Sequence, residues 1–271
     1  MTFVPAHTLV GEPTAPKLAL LLHGALGSGN NLRSLAVKLG KMRPEYCFCL
    51  VDLRHHGDSQ GAPPPNTLEA CAKDLAALSA VLGREPEVAI GHSFGGKATL
   101  MFAQLFPGKT RQYWILDSNP GTQDPDAGSE VIQVIQAIRS TTTPAADRAH
   151  VVSELTAQGL SSGTANWLAT NLQREPRGYV WRFNLDAIYE LMLDYFRVDL
   201  WPVLESGASD SDFRVVVAER SDRWAPENRA RLQQLVSRSP AARLHVVPNA
   251  GHWLHVDNPG FLLELMGQNL Y

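Results

Sequence analysis

A chain of 271 residues, 44% apolar and 19% charged, is long enough for one large domain carrying an insertion and too evenly composed for disorder, collagen or coiled coil. The 24 Lys and Arg against 27 Asp and Glu leave a net charge of −3, with no basic run to grip a phosphate backbone, so nucleic acid is not an expected partner. The three cysteines, Cys47, Cys49 and Cys71, have neither CxxC nor Cys/His ligand spacing, which argues against a disulfide framework and a zinc site and points to buried thiols in a reducing compartment.

In chain order, the first residues lack a basic start followed by an apolar stretch, so no secretory leader is read and a cytoplasmic location is expected. The run 18–22 is far short of the ~20 residues that cross a bilayer, so no membrane association is expected. Short apolar runs at 17–22, 46–51, 87–90, 113–116, 213–218 and 243–247 predict six parallel strands, apolar on both faces because helices cover both. One or two further strands are expected within 2–10. Helical spacing predicts helices over 31–39, 68–82, 97–106, 226–236 and 259–270.

Residues 118–212 interrupt this alternation, since a βα crossover needs only about a dozen residues. Helical patterns at 131–138, 150–156, 165–172 and 186–196, with no strand-like run, predict a helical cap over the carboxyl ends of the strands, where open α/β sheets place ligands. The expected domains are therefore a core of 1–117 and 213–271 and a cap of 118–212. Trp167, Trp181, Phe183, Leu191 and Met192 line an acyl pocket or form the cap's own core. Arg182 is a substrate clamp or a structural ion pair.

Gly91-His92-Ser93-Phe94-Gly95 is a GxSxG pattern, weak alone, but a predicted strand before it and a predicted helix after it supply the strand–turn–helix setting of a nucleophile elbow. A Cβ at position 91 or 95 is expected to collide with the neighbouring strand or helix. The loop after the last strand carries His252, the candidate base for a serine hydroxyl that is a poor nucleophile unaided. His255 is the only rival in that loop. A carboxylate must then fix the imidazole tautomer, and two end strands at the right edge: Asp117 and Asp222. Position after the penultimate strand favours Asp222. The N–H of Phe94 and one from the loop after the first core strand, at Ala25, form the expected oxyanion hole. That loop lacks both P-loop and GxGxxG spacing, so residues 27–31 read as a turn and helix cap rather than a phosphate cradle.

The chain resembles the α/β-hydrolase superfamily, and several segments resemble one branch of it, the small bacterial esterases related to the mitochondrial abhydrolase proteins. The segments are His23-Gly24-Ala25-Leu26-Gly27-Ser28, residues 51–59 (Val-Asp-Leu-Arg-His-His-Gly-Asp-Ser), residues 91–97 ending in Lys97, Trp181-Arg182-Phe183-Asn184-Leu185-Asp186, and residues 248–253 around His252. The resemblance implies an Asp after the strand that follows the elbow helix and a Ser at the usual late-acid position, which Asp117 and Ser221 match; it therefore puts Asp117 ahead of Asp222. The chain departs from the branch at Arg223-Trp224. It implies an α/β-hydrolase fold and a serine hydrolase that cleaves a small-molecule carboxylic ester or thioester through an acyl-enzyme, with no metal and no cofactor. The same triad also serves carbon–carbon cleavage, acyl transfer or a lyase step on this fold, and a non-catalytic receptor is disfavoured.

Overall fold

The computed structural model describes residues 3–124, 129–206 and 211–271. Its strands are β1 (His7–Val10), β2 (Lys17–Leu22), β3 (Tyr46–Val51), β4 (Val88–His92), β5 (Gln112–Leu116), β6 (Leu172–Glu175), β7 (Gly178–Trp181), β8 (Asp212–Ala218) and β9 (Ala242–Val247). Seven of them form one sheet in the order β1-β3-β2-β4-β5-β8-β9. All neighbours in it run parallel except β1 with β3.

Strand periodicity explains why the runs are apolar throughout. In β3, Cys47, Cys49 and Val51 enter one hydrophobic cluster while Tyr46, Phe48 and Leu50 enter the other. The first face is covered by α2 (Leu68–Leu82), α3 (Phe94–Leu105) and later α9 (Pro226–Arg238); the second by α1 (Arg33–Met42), α10 (Leu254–Asp257) and α11 (Pro259–Asn269). The three cysteines are free, buried thiols. No helix among the described residues is long and apolar enough to cross a membrane.

Between β5 and β8 the chain builds α4 (Glu130–Arg139), α5 (Arg148–Ala157), α6 (Ser162–Ala169), the β6–β7 hairpin, α7 (Leu185–Arg197) and α8 (Trp201–Glu205). The hairpin corrects the expectation that this segment holds no strand and that 165–172 is one helix. Helix α6 stops at Ala169, and Leu172 already pairs with Trp181. The strand escaped a hydrophobic reading because Gln173, Arg174 and Glu175 are all exposed, leaving no apolar alternation to see. Polar bonds tie this segment to the core above the carboxyl ends of the strands: Asn171 Nδ2 donates to Leu26 O (2.9 Å) and Leu68 N donates to Asp194 Oδ2 (2.8 Å).

Candidate active site

Strand β4 runs through Gly91 and His92 before the chain reverses into α3, and Ser93 absorbs the reversal at φ 53°, ψ −117°. That backbone state costs on the order of 1–3 kcal/mol for a residue with a side chain. It is held by the surroundings: a Cβ on Gly91 would sit 2.0 Å from Gly95 O, and one on Gly95 2.4 Å from Leu22 O. Strand and helix therefore approach at a distance only glycine permits, as expected from the motif. Ser93 N also donates to Leu116 O (3.0 Å), which fastens the elbow to the end of β5.

His252 lies in the loop between β9 and α10. Gly251 N donates to Asp257 Oδ2 (2.8 Å), and His92 Nε2 donates to His252 O (2.8 Å), so the loop is gripped from both sides. Its Nε2 is 3.0 Å from Ser93 Oγ and its Nδ1 is 2.7 Å from Asp117 Oδ2. Asp117, at φ 46° just past β5, has no exposed surface. Its carboxylate also accepts Ala218 N–H at Oδ1 (3.1 Å) and Ser221 Oγ–H at Oδ2 (2.7 Å).

The rival carboxylate, Asp222, lines the cavity without bonding the imidazole. Ser221 N returns to Ala218 O (3.1 Å), and this turn sends Asp222 outward, 75% exposed, to pair with Arg223 Nε at 3.2 Å. Asp117, not Asp222, is therefore the carboxylate that meets His252. The other candidate imidazole, His255, is half-buried, with its Nδ1 shielded and its ring packed 4.8 Å from that of His92. Burial pushes the pKa of His255 down to about 4 and that of His92 well below the ordinary histidine value, so both stay neutral.

Ala25 and Phe94 flank the serine. Among the described residues no protein acceptor takes either backbone N–H, whereas Leu26 N is bonded to His56 Nε2 (3.1 Å) and Gly27 N to Gly24 O (3.1 Å). Two unclaimed donors beside a half-buried hydroxyl that faces the cavity suit an oxygen that becomes negative. Above them opens a cavity of about 700 Å³ that reaches Ser93 and His252, with Val131, Val134, Trp167, Met192 and Phe196 on its apolar wall.

Of the aromatic and aliphatic residues expected in a pocket or a cap core, Trp167 and Met192 reach the cavity. Trp181 and Phe183 stack on each other 5.1 Å apart, with Trp181 Nε1 bonded to Thr141 Oγ1 (3.1 Å), and Leu191 is buried in the core. Arg182 pairs with Asp58, an ion pair between β7's end and the loop after β3. Tyr195 and Phe196, at the end of α7, line the cavity without having been singled out; nothing in the amphipathic spacing of that helix separates the cavity wall from the core. Arg223 pairs with Glu130 at the cavity rim.

Lys97 is fully buried, and its ammonium donates to Gly121 O (2.7 Å), Tyr195 O (2.6 Å) and Val198 O (2.8 Å). One side chain from the elbow helix thus pins both the segment after β5 and the end of α7. Burial pushes its pKa down to about 7.

A model of the family described as "Alpha/beta hydrolase family" matches residues 19–265. The sn-1-specific diacylglycerol lipase ABHD11 of Mus musculus is 32% identical over 258 residues, covering 93% of this chain and 80% of its own. The esterase YbfF of Escherichia coli (strain K12) is 26% identical over 257 residues, covering 93% and 92%. Among solved structures, a marine microorganism esterase superposes with a TM-score of 0.84 at 26% identity, over 99% of this chain and all of its own.

Proposed function

Because the chain belongs to the α/β hydrolase family and is a carboxylesterase-like hydrolase, we propose that it cleaves a carboxylic ester or thioester through an acyl-enzyme on Ser93. The supporting observation is the continuous line of hydrogen bonds from Asp117 Oδ2 through both ring nitrogens of His252 to Ser93 Oγ, at 2.7 and 3.0 Å. Asp117 accepts the Nδ1 proton, which leaves Nε2 as the lone-pair nitrogen facing the hydroxyl.

Ser93 Oγ attacks the acyl carbon as its proton passes to His252 Nε2, and the imidazolium is stabilised by Asp117. The carbonyl oxygen, now negative, takes the N–H groups of Ala25 and Phe94. Collapse breaks the acyl–oxygen or acyl–sulfur bond, and the leaving group departs with the proton from Nε2. Water then attacks the acyl-serine with His252 again as base, which releases the acid and restores Ser93. Residues 118–212 act as the cap, with Trp167, Met192 and Phe196 supplying apolar surface to the substrate.

Ser93→Ala is expected to abolish hydrolysis of a p-nitrophenyl acyl ester and labelling by a fluorophosphonate probe while leaving the far-UV circular dichroism unchanged. Retained turnover in that variant would remove Ser93 as the nucleophile.

A further inference from the structure

Residues 51–59 carry part of the family resemblance, and no step of the proposed reaction touches them. They nevertheless hold the loop that contains Ala25. His56 Nε2 accepts the Leu26 N–H (3.1 Å), and Asp52 Oδ1 accepts that of Gly29 (2.8 Å). In return His23, on the first loop, uses its Nε2 to accept the Leu53 N–H of the second (3.0 Å). Each loop thus lends an imidazole to the other's backbone, and the two rings meet edge to face with centroids 4.9 Å apart.

The remaining ring nitrogens are also occupied. His56 Nδ1 donates to Arg54 O (2.9 Å) and His23 Nδ1 to Gly24 O (2.7 Å). This fixes both tautomers with Nε2 as the acceptor, a role that only a neutral ring can fill. Burial keeps the rings neutral, with His56 pushed down to about 3 and His23 to about 4.

The clasp acts on a strained piece of backbone. Leu26 sits at φ 60°, a left-handed conformation that leucine rarely adopts. Consecutive donors after it are all claimed: Leu26 by His56, Gly27 by Gly24 O, Ser28 by Asn31 Oδ1 (2.7 Å) and Gly29 by Asp52. Within residues 25–29 the N–H left over is that of Ala25. The His56 ring also lies 6.3 Å, centroid to centroid, from that of Phe94, so it touches the residue that carries the second donor.

We propose that His56, with His23 as its counterpart, is a positioning residue of the oxyanion hole: by accepting the Leu26 N–H it locks the left-handed turn that leaves the Ala25 N–H facing the cavity. This rests on the proposed reading of Ala25 and Phe94 as oxyanion donors. The acceptor, rather than the charge or bulk of the ring, is what the turn requires.

Glutamine and asparagine separate these roles. His56→Gln can extend an amide oxygen to the place of Nε2, while His56→Asn reaches only the place of Nδ1 and leaves the Leu26 N–H without a partner. His56→Asn is expected to lower kcat on a p-nitrophenyl ester by about 10- to 100-fold with KM little changed, because a displaced donor is felt only as the oxyanion forms. Affinity for a boronic acid, which mimics the tetrahedral adduct, is expected to fall in parallel, and His56→Gln to recover most of both losses.

Wild-type kcat and boronate affinity in both variants, or equal losses in both with the fold intact, would overturn the proposal. Should His56→Asn fail to fold, His56→Gln decides alone: activity near wild type supports the acceptor role, and its loss refutes it. A wild-type protein that neither binds boronate nor labels at Ser93 would instead refute the underlying reaction, so the two failures are distinct.

Discussion

Asp117 receives three donors in a site with no exposed surface, from Ala218, Ser221 and His252. A carboxamide in its place offers only one acceptor oxygen and presents an N–H where the imidazole proton needs a lone pair. The proposed role therefore predicts that Asp117→Asn lowers kcat by about 10³–10⁴-fold, as loss of the correct imidazole tautomer does in serine hydrolases. Asp222 is mostly exposed beside Arg223, and Asp222→Asn is expected to change kcat by no more than about twofold. Steady-state kinetics of both variants on one ester check the pair. The motif around Ser93 and the loop around His252 are legible in the residues because each follows a strand that announces itself. The acid is legible only through the resemblance, which favours Asp117: by spacing alone two aspartates follow two strands alike, and in the structure the outward turn at Ser221 separates them.

At the scale of elements, α3 does two jobs. Its first residue carries one proposed oxyanion donor, and one turn on, Lys97 binds three carbonyls on the segment after β5 and on α7. Methionine matches the length of lysine without its donors, so Lys97→Met leaves three carbonyls unsatisfied. A stability loss of about 3 kcal/mol or more is expected from urea unfolding, at ~1–3 kcal/mol for each buried polar group left unpaired. Because α7 carries Met192 and Phe196 to the cavity, KM should rise more than kcat falls. The sheet and its covering helices are legible because β2, β3, β4, β5 and β8 are buried on both faces. The β6–β7 hairpin is not, since Gln173, Arg174 and Glu175 of β6 are exposed and β7 is only half-buried, so its order comes more from pairing than from burial.

For the whole molecule, gathering the segments at the carboxyl ends of β2, β3, β4 and β9 buries His23, His56 and His92 and half-buries His255, all as neutral rings. Each has a folded pKa below the value of ~6.5 that an unfolded chain would show. Above pH ~6.5 the rings are neutral in both states and the stability is complete. As the pH falls below ~6.5 the unfolded chain takes up protons that the folded one refuses, so stability drops, each ring contributing up to ~1.4 kcal/mol per pH unit until its folded pKa is passed. Urea unfolding measured from pH 7 to pH 4 is expected to shift to lower midpoints, and a flat profile would contradict neutral burial of these rings.

Local signals in the sequence, strand periodicity, the GxSxG turn and the order of serine before histidine, pointed to the architecture and to the two residues at the centre of the candidate site, because each depends on near neighbours in the chain. The resemblance favoured Asp117 over Asp222 where spacing did not, and the contact of Asp117 with His252, the choice of aromatic side chains that face the cavity, and the exchange of acceptors between His23 and His56 across 30 positions belong to tertiary structure. Those contacts join segments whose spacing carries no periodic trace, and they exist only once the parallel sheet has brought its loop ends to one edge.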